Sequence, residues 1–175
     1  TRAQKGWQKW TGYRRLHWKL PGFERSRSRP WSHKRGPGWR GLQPALERRW
    51  QELTPWPEAA PVLKRVPVPL AVATNCSIRL GRQAADRVGV PFAIVETAES
   101  VGFYKPRPET YRAVLERLGT APERTLFVAG SASDVPGAKG VGMPVYWHNR
   151  IGLPPRDDAS PDFLEKSLEP LSGLF

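Results

Sequence analysis

Several residue types are scarce in this chain, and each scarcity excludes a class of protein. Cys76 is the only cysteine among 175 residues, so it forms no internal disulfide and has no CxxC partner for a metal site. We interpret it as a small packed thiol in a reducing compartment. No apolar run approaches the roughly 20 residues of a membrane span, and none resembles the core of a signal peptide. These absences favour a soluble, cytoplasmic protein.

The first 50 residues lack aspartate, valine and isoleucine. They hold 14 Lys or Arg against two Glu, together with six of the eight Trp, whereas residues 51–175 hold 14 basic and 14 acidic residues. The whole formal charge of +12 therefore belongs to the first 50 residues. Because this segment has neither valine nor isoleucine and shows no apolar stripe, we predict that residues 1–50 are disordered and that residues 51–175 form the folded domain.

The basic segment admits two interpretations. Its interleaved Trp and Arg would suit a nucleic-acid partner, whose phosphates the cations bind while the rings stack on bases, or an anionic membrane surface. The same composition is typical of G/C-rich coding DNA translated out of frame. We favour the out-of-frame interpretation over nucleic-acid binding.

From residue 51 onward, helical and strand patterns alternate. The strands are predicted at Val68–Ala73, Phe92–Val95, Thr125–Ala129 and Pro144–Trp147. The helices are predicted around residues 59–66 and at Ser77–Val88, Pro108–Leu118 and Asp134–Val141, with a last short strand or helical turn at Phe163–Leu171. Short apolar strands alternating with helices predict an α/β domain, in which helices cover both faces of a parallel sheet.

Polar residues follow three of the predicted strands. Thr74 and Asn75 end the first strand, Lys105 lies in the loop after the second, and Ser131 and Asp134 follow the third. The carboxyl ends of parallel strands line the ligand crevice of such sheets. A lysine, hydroxyl donors and a carboxylate that converge there would suit hydrolysis of a small anionic substrate.

These residues resemble the ordered motifs of the haloacid dehalogenase superfamily. LAVAT, ending at Thr74, resembles its second motif, Lys105 in YKP its third, and LFVAGSASD, ending at Asp134, its fourth. The resemblance covers about residues 51–175 and rests on several motifs in order, so it is more specific than any single pattern. It implies a three-layer Rossmann-like core and hydrolysis through an aspartyl ester.

Within that superfamily the chain resembles the 2-haloacid dehalogenase branch. Phosphatases carry a magnesium-binding aspartate where this chain has Gly130, whereas the metal-free branch has polar residues and a later aspartate, here Ser131 and Asp134. Lys105 followed by Tyr111, and WHNR at residues 147–150, are also similar to that branch. The resemblance implies no cofactor, with Mg²⁺ expected only for a phosphatase-like member.

The resemblance also implies roles for the site residues. Thr74 and Asn75 would contact the substrate carboxylate, and Tyr111 would line the pocket. Lys105 would stabilise the nucleophilic carboxylate, while Ser131 and Asp134 would position water.

Each residue has a structural alternative. Tyr111 lies on the apolar stripe of its helix, and Thr74 and Asn75 could only end a strand. Asp134 could cap a helix, and Lys105 could be an exposed loop charge.

The nucleophile implied by the resemblance is absent from this sequence, because the first aspartate is Asp86, after the second motif. In the family, the first strand lies between the strand that ends at Thr74 and the strand that precedes Asp134. Neither that strand nor most of the family's cap is found in this sequence. We therefore predict an incomplete sheet with two inner edges, marginal stability and no activity of this chain alone. The alternatives are a phosphatase-like hydrolase and a non-catalytic protein that binds nucleic acid through its basic arm.

Overall fold

The computed structural model describes residues 48–157 and 159–175. The disorder and nucleic-acid predictions for residues 1–50 therefore lie almost entirely outside the described residues and stay predictions. In the described part, no helix has both the length and the apolar character needed to cross a membrane.

Residues 49–175 form one unit of alternating helices and strands. The strands are β1 Ala71–Thr74, β2 Ile94–Thr97, β3 Phe127–Ala129, β4 Val145–His148 and β5 Phe163–Glu165. The α-helices are α1 Ala59–Leu63, α2 Ile78–Asp86, α3 Ala98–Val101, α4 Pro108–Leu118 and α5 Asp134–Lys139. Two short 3-10 helices lie at Pro122–Arg124 and Glu169–Gly173.

In the part of the chain that the structure describes, all strand pairs are parallel, but the strands form two sheets. β1 pairs with β2, with Thr74 opposite Thr97. β3, β4 and β5 pair in that order, with Ala129 opposite Trp147. Among the described residues no ladder of hydrogen bonds joins β1 to β3. The predicted parallel α/β architecture is present, with its sheet divided between β1 and β3.

The larger sheet carries a hydrophobic core on each face, because successive β4 side chains point in opposite directions. On one face, Val145 and Trp147 cluster with Tyr111 and Leu115 of α4 and with residues of α5. On the other face, Tyr146 packs with residues of α1 and of the last 3-10 helix. Helices thus cover both faces of this sheet.

Local signals in the sequence set the ends of the two long helices. The Ser77 hydroxyl accepts a hydrogen bond from the Leu80 N–H at 3.3 Å and caps α2. Helix α4 starts at Pro108, whose missing N–H is not needed in the first turn, and ends at Gly119, which adopts the left-handed conformation. Both helices were predicted from these residues.

Several predicted boundaries were wrong. β1 begins at Ala71 rather than Val68, since Pro67 and Pro69 have no N–H for a ladder. The segment expected to be one last strand or turn contains both, β5 and then the 3-10 helix Glu169–Gly173. Helix α3 was not predicted, because its four residues depend on a capping box between Thr97 and Ser100 and show no periodicity.

Candidate active site

A buried ion pair lies where the two sheets meet. Lys105 Nζ donates to Asp134 Oδ2 at 3.0 Å, and the side chains are only 14% and 10% exposed. Lys105 lies in the loop that follows β2 and α3, and Asp134 is the first residue of α5, just after β3. The predicted convergence of these two residues is confirmed, and the alternative of an exposed loop charge at Lys105 is wrong.

Aromatic rings enclose this ion pair. The ammonium of Lys105 lies 5.4 Å from the ring centroid of Phe127, a residue of β3, and forms a cation–π contact with it. Tyr111 packs edge-on against the same ring, with centroids 5.1 Å apart, and its hydroxyl lies 3.3 Å from Asp134 Oδ1. Two groups therefore contact the Asp134 carboxylate, one at each oxygen.

Tyr111 is 1% exposed and belongs to the hydrophobic core. The alternative of core packing is therefore correct for its ring, while its hydroxyl reaches the ion pair. Contact of Tyr111 with a substrate stays a prediction.

Asn75 holds the backbone of the lysine loop. Its Oδ1 accepts a hydrogen bond from the Lys105 N–H at 2.7 Å, and its Nδ2 donates to the Lys105 carbonyl at 3.1 Å. The neighbouring hydroxyl of Thr74 donates to the thiol of Cys76 at 3.1 Å. The carboxyl end of β1 is thus tied directly to the lysine, and Asn75 does more than end a strand.

The loop after β3 carries the remaining predicted residues. The hydroxyls of Ser131 and Ser133 are 2.9 Å apart, and the Asp134 N–H donates to the Ser131 carbonyl at 3.0 Å. Ser133 rather than Asp134 is the N-cap residue of α5, and no side-chain cap bond forms. The alternative of Asp134 as a helix cap is wrong, because its carboxylate turns to Lys105 and Tyr111. Gly130, next to Ser131, is exposed.

The WHNR segment, residues 147–150, spans the end of β4, the strand next to β3. Arg150 forms an ion pair with Glu58 and lies 4.3 Å from the Trp56 ring centroid. The Asn149 side chain accepts from the Leu153 N–H at 2.7 Å and donates to the Leu153 carbonyl at 2.9 Å. These contacts fix the turn after β4.

His148 in the same segment is buried. This burial lowers the pKa of His148 below its usual value, against a hydrogen bond with the Lys166 backbone that acts to raise it.

The donor groups of the site do not suit a divalent cation. In residues 48–157 and 159–175, no group of three or more His, Cys, Asp or Glu side chains could hold a metal ion. Gly130 offers no carboxylate, and both oxygens of Asp134 are already in contact with Lys105 and Tyr111. Mg²⁺ is bound mainly through carboxylates and water, which this loop supplies poorly.

Sequence reasoning missed two residues that shape the site. Phe127 contacts both Lys105 and Tyr111, and Gly137 of α5 allows Tyr111 and Pro106 to approach the helix closely. A Cβ at Gly137 would lie 2.5 Å from the Tyr111 hydroxyl and 2.8 Å from Pro106 Cβ. A glycine inside a helix was the available signal, because glycine costs helix stability and so often marks a close contact.

The comparisons with known proteins identify the family and the fold. The model of the haloacid dehalogenase-like hydrolase family matches residues 2–142. The chain is 29% identical over 142 residues to (S)-2-haloacid dehalogenase 4A of Burkholderia cepacia, covering 78% of this chain and 60% of that enzyme. It is also 35% identical over 130 residues to the phosphoserine phosphatase of Thermus thermophilus, covering 70% of this chain and 52% of that enzyme.

A solved structure shows the same fold. L-2-haloacid dehalogenase from Xanthobacter autotrophicus matches with a TM-score of 0.70 and 25% identity, covering 76% of this chain and 65% of that one. Another structure of that enzyme, with a TM-score of 0.69 and 26% identity over the same shares, holds covalently bound chloropropionic acid. The chain thus spans about half to two thirds of the length of these relatives. It belongs to the haloacid dehalogenase-like hydrolase family, and the predicted fold is confirmed.

Proposed function

We propose that residues 51–175 supply part of a 2-haloacid dehalogenase site. This part comprises the lysine, the polar residues that contact the substrate and the residues that position water. The observation that carries this proposal is the buried pair of Lys105 and Asp134, joined to Tyr111 by a contact of 3.3 Å. A buried ammonium and carboxylate at the ends of parallel strands can stabilise an attacking carboxylate and orient water. The covalently bound chloropropionic acid in the Xanthobacter structure supports an ester intermediate in this family.

The reaction of a complete site would have two steps. An aspartate carboxylate attacks the carbon that bears the halogen, an ester bond forms, and halide leaves with the bonding electron pair. Water then attacks the ester carbonyl, and the aspartate and a 2-hydroxy acid are released.

The proposed roles follow the positions of the residues. Lys105 stabilises the nucleophilic carboxylate, and Ser131 and Asp134 position the water. Thr74, Asn75 and Tyr111 contact the substrate, while Asn75 also fixes the lysine loop through its two backbone bonds.

Residues 1–175 alone do not contain the nucleophile for the first step. The first aspartate, Asp86, is the exposed last residue of α2, more than a helix length beyond Thr74 along the chain. It does not take part in the cluster around Lys105. We therefore expect this chain by itself to release no halide.

A phosphatase-like activity is the second candidate, because the Thermus phosphoserine phosphatase is 35% identical over 130 residues. Gly130 and the two occupied oxygens of Asp134 weigh against it, since a magnesium-dependent phosphatase needs free carboxylate oxygens near the phosphate. The dehalogenase interpretation explains the lysine–aspartate pair without a metal.

A chimera tests the proposal. The N-terminal part of the Burkholderia dehalogenase, carrying the nucleophile and cap implied by the family resemblance, is joined to residues 51–175. Halide release from 2-chloropropionate and phosphate release from p-nitrophenyl phosphate are then measured with and without Mg²⁺. We expect metal-independent halide release, lowered by about two orders of magnitude or more in a Lys105→Ala chimera.

The unfused chain and its own Lys105→Ala variant are the controls, and both should give equal, background halide release. Halide release by the unfused chain well above its Lys105→Ala variant would overturn the expected inactivity. Magnesium-dependent phosphate release by the chimera, without halide release, would overturn the dehalogenase assignment.

A further inference from the structure

Strand β5 forms an outer edge of the larger sheet and is far more exposed than its neighbour. In the described part of the chain, β5 pairs only with β4. Its residues Phe163 and Leu164 are 38% and 57% exposed, whereas all four residues of β4 are buried. An exposed apolar edge strand offers a row of unpaired backbone groups to another strand. The edge of β5 is therefore a candidate interaction surface.

The backbone of Leu164 faces the open side of this edge. The Asn149 N–H, just after β4, donates to the Glu165 carbonyl at 2.7 Å, so the Glu165 backbone faces β4. The backbone groups of successive strand residues point alternately to the two sides of the strand. The N–H and C=O of Leu164 therefore point away from β4, towards the side on which β5 has no strand neighbour among the described residues.

Charges of opposite sign flank the exposed strand, with Asp162 just before it and Lys166 just after it. The Asp162 carboxylate accepts a hydrogen bond from the Val145 N–H at 2.7 Å and pairs with Lys139 at 2.9 Å. These contacts hold the pKa of Asp162 below its usual value, so the group is ionised at neutral pH. Lys166 is exposed and takes part in none of the ion pairs among residues 48–157 and 159–175.

We propose that β5 pairs antiparallel with β5 of a second copy of this chain, about a twofold axis at Leu164. In this register the two Leu164 residues lie opposite each other, and Lys166 of each copy lies opposite Asp162 of the other. A twofold interface joins the same patch on both copies and must therefore be self-complementary. The order acidic, apolar, basic along residues 162–166 meets this requirement, because it matches its own reverse.

Charge and backbone direction select this register over its neighbours. A shift by one residue would set a backbone that faces outward against one that faces β4. A shift by two residues in one direction would place the two Glu165 carboxylates opposite each other, and like charges directly opposite destabilise a strand pair. The same shift in the other direction would place Leu164 opposite Asp162 and leave Lys166 without an acidic partner. Only the register centred on Leu164 pairs both charges.

The interface would join two three-stranded sheets into one continuous sheet. The paired strand has only three residues in each copy, and small interfaces are weak. We therefore expect a Kd on the order of 0.1–1 mM. The dimer should form only at high protein concentration, while each copy keeps its own core.

The test measures sedimentation of the full chain from about 10 µM to about 1 mM. Exchange of the Leu164 N–H with water is measured by NMR over the same range. We expect the sedimentation coefficient to rise from that of a monomer towards that of a dimer. Exchange at Leu164 should slow by about twofold to fivefold at the highest concentration, in proportion to the fraction of chains paired, while exchange in β4 should not change.

Two variants with matched controls locate the interface. Leu164→Lys sets two lysines against each other on the axis, and Ile151→Lys, at a residue that is 69% exposed after β4, is its control. Lys166→Glu places a second carboxylate opposite Asp162, and Lys64→Glu, at another exposed lysine, makes the same change in net charge. Leu164→Lys and Lys166→Glu should each raise Kd by about tenfold or more, and the two controls should leave it unchanged.

A chain that stays monomeric at about 1 mM would overturn the proposal. A dimer that Leu164→Lys or Lys166→Glu leaves unchanged, or one in which the Leu164 N–H exchanges as fast as in the monomer, would place the contact on another surface and overturn it as well. No readout here needs catalysis. A chimera that releases no halide would therefore remove the proposed function and leave the β5 interface.

Discussion

Strand β4 is buried at all four of its residues, whereas β1, also four residues long, is partly exposed at all four. Their sequences, VYWH and AVAT, are both apolar at three of four positions. The difference lies in their neighbours, because β4 has a strand on each side and a core on each face, while β1 has one strand partner among the described residues. Apolar composition shows that a strand tends to be buried, and pairing decides whether it is.

Truncating one side chain in each strand should give the largest contrast. Trp147 is 1% exposed in the core of the larger sheet, so Trp147→Ala should lower the free energy of unfolding by about 3–5 kcal/mol. Val72→Ala in β1 should cost about 1 kcal/mol, because a partly exposed side chain loses less burial. Urea denaturation followed by circular dichroism measures both. Equal losses would mean that β1 is covered as fully as β4.

The pair that joins the two sheets should come next in size. Lys105→Met leaves the Asp134 carboxylate buried without its cation, at a cost of about 2–4 kcal/mol. The double variant Lys105→Met, Asp134→Asn should recover most of this loss, since no buried charge remains. The exposed pair of Lys139 and Asp162 is the matched control, and Lys139→Met should cost about 1 kcal/mol or less.

A double variant as unstable as Lys105→Met alone would contradict this account. Such a result would place the cost in the lost contact of the lysine ammonium with the Phe127 ring rather than in the unpaired charge. Urea midpoints at constant slope measure the three variants in the same way.

A methyl group at the site should have a smaller effect. Gly137→Ala would place a Cβ 2.9 Å from the Pro106 carbonyl and closer still to the Tyr111 hydroxyl. The clash should cost about 1–3 kcal/mol, partly offset by the better helix propensity of alanine. Gly130→Ala is the control, because no atom lies within 4 Å of its Cβ, and it should change stability by about 0.5 kcal/mol or less. Equal melting temperatures for the two variants would show that α5 can move.

The sequence predicted the features that depend on local signals. Pro108 and Gly119 mark the ends of α4 whatever surrounds it, and Ser77 caps α2 with its own hydroxyl. The meeting of Lys105 and Asp134 was also predictable, because both follow parallel strands and such strands end at one edge. Predicting these features requires only the order of the elements along the chain and the periodicity of apolar residues within each element.

Features that depend on packing could not be predicted from the sequence alone. The contact of Phe127 with Lys105 and the close approach of Gly137 to Tyr111 join residues of different elements. The two backbone bonds of Asn75 needed the exact course of the lysine loop. Side-chain directions across elements are fixed only when the elements are packed, so no periodicity in the sequence encodes them.

The smallest expected effect is a pH dependence at the buried end of β4. Burial lowers the pKa of His148 below its usual value of 6.5, so the unfolded chain binds a proton at this residue more readily than the folded chain. Stability from neutral His148 is therefore complete above about pH 6.5 and declines as the pH falls from there towards the lowered folded pKa. Tm measured between pH 7.5 and pH 6 should show a shallow decline.

His148→Leu should flatten that decline, because the variant has no imidazole to protonate. The range stays above the titration of ordinary carboxylates, and His17 and His33 are present in both proteins, so their contributions cancel in the comparison. Equal slopes would mean that His148 is solvated like an exposed histidine. Burial disfavours the charged imidazolium and so lowers the pKa of His148, and its buried Nε2 has no hydrogen-bond partner among the described residues that would offset this cost.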